Sequence, residues 1–242
     1  MVKLIIDVGN SCIKLGIFDK CNIISFDSAL FDDKNKIINI VKKYNVNSAI
    51  ISSVIKNGDV VLEQMIRPYV KKVSILNHTL KLPFENFYET PETLGKDRVA
   101  AVAGAQTLFP GKSLLVIDAG TAITYDFLFE GKEYLGGNIA PGLKMRLKSL
   151  NTFTDRLPLV EINPEAEFPA KNTFDAIASG AFTGMIFEIE GYMEFCRQKW
   201  GEIKTIITGG DSLYFGKKLK KTIFVNQNLV LLGLNRILEY NE

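Results

Sequence analysis

Leu4-Ile5-Ile6-Asp7-Val8-Gly9-Asn10-Ser11 and, 111 residues further on, Leu115-Val116-Ile117-Asp118-Ala119-Gly120-Thr121-Ala122 decide how this chain folds. Each is a short apolar run that ends in Asp-x-Gly and a small residue. An apolar run of that length, bounded by a turn signal, reads as a buried strand. The offset aligns Leu4 with Leu115, Ile6 with Ile117, Asp7 with Asp118, Gly9 with Gly120 and Phe18 with Phe129. A second and a third strand follow each run, at 12–18 and 22–26 in the first half and at 122–129 and 133–136 in the second. An internal duplication accounts for both the matches and the shared order.

Outward from these runs, periodicity predicts helices at about 34–44 and 60–69 around a strand at 49–52. Within Pro91–Phe109 a central helix is read, starting after Thr90-Pro91-Glu92-Thr93, opened by Leu94–Arg98 and stopped by Pro110-Gly111. Helix Asn172–Trp200, strand 205–207, helix Ser212–Leu219, strand 223–225 and helix Leu229–Tyr240 complete the chain. No low-complexity linker separates the halves.

Composition removes several function classes. The net charge is only +2, with acids and bases interspersed, so no basic stripe offers itself to nucleic acid. No apolar stretch approaches the length of a membrane span, and Met1-Val2-Lys3-Leu4 enters the first motif without a secretory leader. The expected setting is cytoplasmic. Three unclustered cysteines and a single histidine, His78, leave little for a zinc site or a histidine-based triad. Chemistry must therefore run on carboxylates, hydroxyls, backbone amides and basic groups.

The Asp-x-Gly turns suit phosphate. Gly permits close approach and inward-turned N–H groups, the next residue (Asn10 or Thr121) offers a short polar side chain, and the Asp can position a charge-offsetting cation. Either turn alone reads first as a hairpin turn, and it is the two copies at matched positions that turn the reading to phosphate. A third element, Thr208-Gly209-Gly210-Asp211, ends a strand in paired glycines before a helix, which suits a nucleotide lying on the backbone or simply a helix-starting loop. Gly111-Lys112-Ser113 imitates the end of a P-loop, but Gln106 stands where its first glycine belongs.

These three elements resemble the acetate and sugar kinase, heat-shock chaperone and actin superfamily. The fold implied is α/β: duplicated actin-like (ribonuclease H-like) lobes with mixed sheets and an interlobe cleft. The first lobe is placed at residues 1–110 and the second at 111–242.

On the central helix, Leu94, Ala101, Val102, Ala105 and Phe109 form an apolar face that includes Arg98, with Asp97 on its flank. A charged pair on an inward face either lines a cleft or forms a buried ion pair. Tyr88, Pro91 and Gly95-Lys96-Asp97-Arg98, then Asp118-Ala119-Gly120-Thr121, then Gly136-Gly137-Asn138-Ile139-Ala140-Pro141-Gly142 resemble type III pantothenate kinase. Asn151-Thr152, Leu157-Pro158 and Asn172-Thr173 with Gly180 continue the pattern over essentially the whole chain.

The resemblance implies ATP-dependent phosphorylation of pantothenate. It makes Asp97 the catalytic base and Tyr88, Gly95, Lys96, Asp97, Arg98 and Thr173 the pantothenate contacts. It gives ATP to Asp7, Val8, Gly9, Asn10, Ser11, Cys12, Ile13, Lys14 and Thr121. Gly209 and Gly210 would take the adenosine. Mg2+ would arrive with ATP, and Asp118 would hold a monovalent cation, potassium or ammonium. A homodimer is expected, its contacts including the helix from Asn172 with its stripe Phe174, Ile177, Ala181, Met185, Ile189, Met193 and Cys196. Phe182, Ile186 and Phe195 add apolar surface, and Gly180 and Gly184 permit a close helix. Neither a nucleic-acid nor a membrane partner is expected. The competing readings are another acid or sugar kinase, an exopolyphosphatase, a transcription-activating accessory factor and an actin-like scaffold.

Overall fold

A computed structural model describes residues 1–9, 12–31, 33–219 and 223–242. In chain order the first half contains β1 (Val2–Val8), β2 (Ile13–Asp19), β3 (Asn22–Ala29), α1 (Lys34–Tyr44) and β4 (Ser48–Ser53). It continues through α2 (Gly58–Ile66), β5 (Lys72–Ile75), β6 (Glu85–Asn86) and α3 (Lys96–Leu108). The second half contains β7 (Leu114–Ala119), β8 (Ala122–Phe129), β9 (Glu133–Pro141), α4 (Leu143–Thr152) and α5 (Thr173–Trp200). It ends with β10 (Lys204–Thr208), α6 (Ser212–Lys218), β11 (Phe224–Val225) and α7 (Leu229–Tyr240).

Two compact units divide the chain. One comprises Met1–Pro110, Lys132–Tyr134 and Asn228–Glu242, and the other Gly111–Gly131 and Leu135–Gln227. In the first, the sheet order is β3-β2-β1-β4-β5. β1 pairs antiparallel with β2 and parallel with β4, so the sheet is mixed. In the second, the strands run β9-β8-β7-β10-β11, with β7 antiparallel to β8 and parallel to β10. The two orders are the same plan written twice. Asp7 lies across from Lys14 and Ser52, and Asp118 across from Thr124 and Thr208. The matched sequence positions are thus matched places in two sheets. The central strands β1 and β7 are apolar because both their faces are covered, and Leu4, Ile5, Ile6, Leu115 and Ile117 are fully buried.

Residues 91–94 form a turn, in which the Thr93 N–H donates to Thr90 O, and α3 follows from Lys96, close to the start read after Thr93. Three elements differ from the periodic reading. Helix α4, strand β5 and the two-residue β6 lie where periodicity predicts no element. Only Leu143 and Leu147 of α4 are buried among its basic residues, too sparse a stripe to register.

Helix α7, expected in the second lobe, packs in the first unit. α3 is buried almost all round because its residues are small: Ala100, Ala101, Ala103, Gly104 and Ala105. Its backbone meets that of α7 so closely that a Cβ on Gly233 would lie 1.7 Å from Ala100 O. Gly233→Ala is therefore expected to cost at least the ~1–3 kcal/mol of an overpacked core, well beyond the ~1 kcal/mol gained in helix propensity. Urea denaturation measures it, and a midpoint equal to or above wild type would show that the two helices separate freely.

Candidate functional site

In the first unit, the run of buried strand residues carries Asp7 to the C-terminal end of β1, where its side chain is 8% exposed. Burial raises its pKa to about 6, with Lys14 drawing it down and Asp97 pushing it up. Asp7, Lys14 and Asp97 thus share one electrostatic neighbourhood. The Gly9 N–H donates to Cys12 O at 3.1 Å and closes the loop. Asn10 and Ser11 lie outside the described residues. Val8 and Ile13 turn their side chains into the core, and Cys12 is half-buried. What these three offer toward a phosphate is therefore mainly backbone.

Asp97 occupies the first turn of α3, where unpaired N–H groups favour a carboxylate. Its Oδ1 accepts the Arg98 backbone N–H at 2.9 Å. A Cβ on Gly95 would lie 2.6 Å from that Oδ1, so the glycine leaves room for the carboxylate. Arg98 is buried, and its guanidinium lies 5.5 Å from the centre of the Tyr88 ring, which in turn stacks on Tyr134. Lys96 Nζ donates to Asp59 Oδ2 at 2.8 Å. Burial works against the Asp59 charge, yet its hydrogen bond and attraction to Lys96 bring its pKa below the usual value. Asp59 joins this group although no local pattern marks it, because α2 reaches Lys96 only through the fold. A pocket of about 90 Å³ lies alongside, lined in part by Asn86, Pro91, Leu94, Lys96 and the exposed His78.

The second unit builds its own group around Asp118, at the C-terminal end of β7. The Gly120 N–H donates to Ala122 O, closing the turn at Thr121, whose side chain is exposed. Two backbones press against this turn. The Gly142 N–H donates to Thr121 O at 3.1 Å, and a Cβ on Gly142 would lie 2.1 Å from Gly120 O. Gly209, at φ 93°, approaches from the other strand: its Cβ would fall 2.3 Å from Ala119 O and 2.4 Å from Asp118 Oδ1. The Asp211 N–H donates to Ala119 O at 3.0 Å, and burial raises the Asp211 pKa against the pull of Lys144. Gly210 is exposed, with open space above its Cα. The paired glycines therefore divide the work, Gly209 packing on the Asp118 turn and Gly210 facing outward.

Thr173 is the exposed first residue of α5, just after Asn172, whose Oδ1 caps the Asp175 N–H at 2.9 Å. Along α5, Ile177, Ala181, Met185, Ile189, Met193 and Cys196 enter the core of the second unit together with Phe182. Phe174, expected in that stripe, is instead more than half exposed, and Phe182, expected on the added apolar surface with the exposed Phe195, is buried.

Among the described residues no three His, Cys, Asp or Glu side chains converge as a metal site. At the end of β1 the buried carboxylate of Asp7 suits a Mg2+ that arrives already held by triphosphate oxygens and water. Asp118 Oδ1 and the Ala119 carbonyl, which both face Gly209, are oxygen donors of the kind that suit a monovalent cation. Among the described residues no helix is long and apolar enough to cross a membrane.

Comparison with known proteins follows the same lines. A family model described as type III pantothenate kinase matches residues 3–194. The type III pantothenate kinase of Bacteroides fragilis (strain YCH46) is 45% identical over 240 residues, covering 99% of this chain and 98% of that protein. Among solved structures, a Campylobacter jejuni protein described as a Baf family transcriptional activator is similar with a TM-score of 0.63 at 23% identity, over 98% of both chains. A ROK hexokinase from Thermus thermophilus is similar with a TM-score of 0.54 at 12% identity, over 99% of this chain and 100% of that one. At such identities these two likenesses speak for the α/β fold with two mixed sheets, not for an activity.

Proposed function

The chain belongs to the type III pantothenate kinase family, and from that premise we propose that it transfers the γ-phosphoryl group of ATP to pantothenate, the first step towards coenzyme A. The observation that carries the reading is the Gly95–Arg98 element at the start of α3, where Asp97 stands within electrostatic reach of Asp7 at the first phosphate turn. Phosphoryl transfer to an alcohol asks chiefly for positioning and charge neutralisation, so carboxylates, backbone donors and basic groups suffice.

In this proposal Asp97 takes the proton of the pantothenate hydroxyl as that oxygen attacks phosphorus. Arg98, held by the Tyr88 ring, grips the pantothenate carboxylate, which a guanidinium meets with two parallel hydrogen bonds. Gly95, Lys96, Tyr88 and Thr173 complete the substrate contacts, with Lys96 oriented by Asp59. The turn Asp7–Lys14, Asn10 and Ser11 included, and Thr121 hold the phosphates, and Gly209 and Gly210 take the adenosine. Asp7 would hold Mg2+ and Asp118 potassium or ammonium, which together offset triphosphate charge.

A cytoplasmic homodimer belongs to the same proposal. Phe174, Phe187 and Phe195 of α5 are exposed, and among the described residues a Cβ placed on Gly180, Gly184 or Gly191 would meet open space beyond the helix's own backbone. That face is open to close approach by a second copy.

A coupled assay for ADP release tests the activity, with pantothenate as acceptor and with potassium, ammonium or neither present. Pantothenate-dependent turnover that rises with one of these cations is expected. Turnover with a sugar or a short-chain acid but not with pantothenate would hand the site to another acceptor.

A further inference from the structure

Three elements of the second unit meet behind the Asp118 turn, on side chains with no part in the proposed chemistry. Arg146, in the first turns of α4, donates from Nε to Pro141 O at 2.7 Å. Its Nη2 donates to Glu188 Oε2 on α5. The other Glu188 oxygen, Oε1, accepts the hydroxyl of Tyr125 at 2.9 Å. Tyr125 is fully buried in β8, directly across from Ile117, the residue before Asp118. Its ring stacks on Tyr192 of α5 at 3.9 Å between centroids. Burial and the Glu188 carboxylate both raise the Tyr125 pKa, so the hydroxyl stays a donor at any ordinary pH.

The Pro141 carbonyl that Arg146 holds belongs to the peptide joining Pro141 to Gly142. Gly142 is the residue whose N–H donates to Thr121 O and whose Cα leaves no room for a side chain against Gly120 O. A trans peptide points its carbonyl and its N–H in opposite directions. Holding the carbonyls of Gly120 and Thr121 towards Gly142 therefore turns the N–H groups of Thr121 and Ala122 away from it. Those are the donors a phosphate oxygen would meet at this turn. Glu188 and Arg146 are each only about a quarter exposed, with side-chain exposures of 26% and 22%, and the pair is charge-assisted at both ends.

We propose that Arg146 and Glu188, braced by Tyr125, are positioning residues that hold the Pro141–Gly142 turn against the Asp118–Thr121 loop and so set its affinity for the phosphates of ATP. The inference rests on the reading that this loop binds ATP. It predicts an effect on ATP rather than on pantothenate, because the hydrogen bonds of Arg146 go to Pro141 O and Glu188, beside Gly142 and the Asp118 turn of the second unit.

The test combines calorimetric titration of MgATP without pantothenate, steady-state kinetics and thermal unfolding for wild type, Arg146→Gln, Arg146→Lys and Tyr125→Phe. Arg146→Gln is expected to weaken MgATP binding and raise the KM for ATP by about tenfold or more, the worth of a charged hydrogen bond. The KM for pantothenate should stay within about twofold, since substrate contacts of the first unit are left intact. Arg146→Lys keeps an ion pair with Glu188 but not the fork, and should fall between wild type and Arg146→Gln. Tyr125→Phe removes one brace without moving the ring, so it should give a smaller rise in the same direction even if Arg146→Gln fails to fold. Unchanged MgATP affinity beside a lowered unfolding temperature, or equal rises in both KM values, would overturn the proposal. Wild-type protein that binds no MgATP would instead overturn the kinase reading, so the two failures are distinguishable.

Discussion

Asp97→Asn is expected to lower turnover by about 10²–10⁴-fold while the protein stays folded, the usual loss when a general base is removed. The fold tolerates the change because Asn keeps an oxygen for the Arg98 N–H, which Asp97 Oδ1 accepts in the wild type. At the helix N-terminus the missing charge costs only about 0.3–1 kcal/mol. The same variant carries a second signature, visible in stability against pH. Burial lifts Asp7 to about 6 and Asp97 adds to the lift. A carboxyl whose folded pKa lies above its unfolded value holds its proton more tightly when folded. Its contribution is therefore greatest below about pH 4 and is lost as pH rises through about 6. With the Asp97 charge gone, the Asp7 pKa falls and that loss shrinks. Urea denaturation at about pH 4 and about pH 8 should show a smaller stability difference for the variant than for wild type. Near-normal turnover with pantothenate still bound would remove Asp97 from the role of base. An unchanged pH difference would instead separate the two carboxylates electrostatically.

The second large effect is expected at Gly209. Alanine there meets two penalties together. At φ 93° an L side chain is strained by about 1–3 kcal/mol. Its Cβ would also lie 2.3 Å from Ala119 O and 2.4 Å from Asp118 Oδ1, adding an overpacking cost of about 1–3 kcal/mol. The atoms that must move are those of the Asp118 turn, so ATP affinity should fall together with the unfolding midpoint. Gly210→Ala is the companion measurement. Its Cβ meets open space and its backbone is not left-handed, so stability should change by no more than about 0.5 kcal/mol. If the nucleotide lies on this strand end, Gly210→Ala should nevertheless weaken ATP binding. Equal stability of both variants would show that Gly209 does not brace the Asp118 turn.

Much was legible from the chain itself. The alternation of apolar runs with Asp-x-Gly turns, repeated after 111 residues, determined two sheets of one topology, because a strand covered on both faces must be apolar throughout and must end where polar turn residues begin. The Gly95–Arg98 element and its place at the start of α3 could be read for the same reason, since capping and turn preferences act over a few residues. What lay beyond reading depends on partners distant in sequence. That α7 belongs with the first unit follows from the meeting of the Gly233 and Ala100 backbones, and a helix stripe does not say which sheet it will cover. Asp59 is paired to Lys96, and Arg146 to Glu188, only because separate elements arrive side by side. Gly209 and Gly210, a pair of identical letters, received opposite tasks. One meets the Asp118 turn and the other meets open space, a distinction that close packing made and local preference could not.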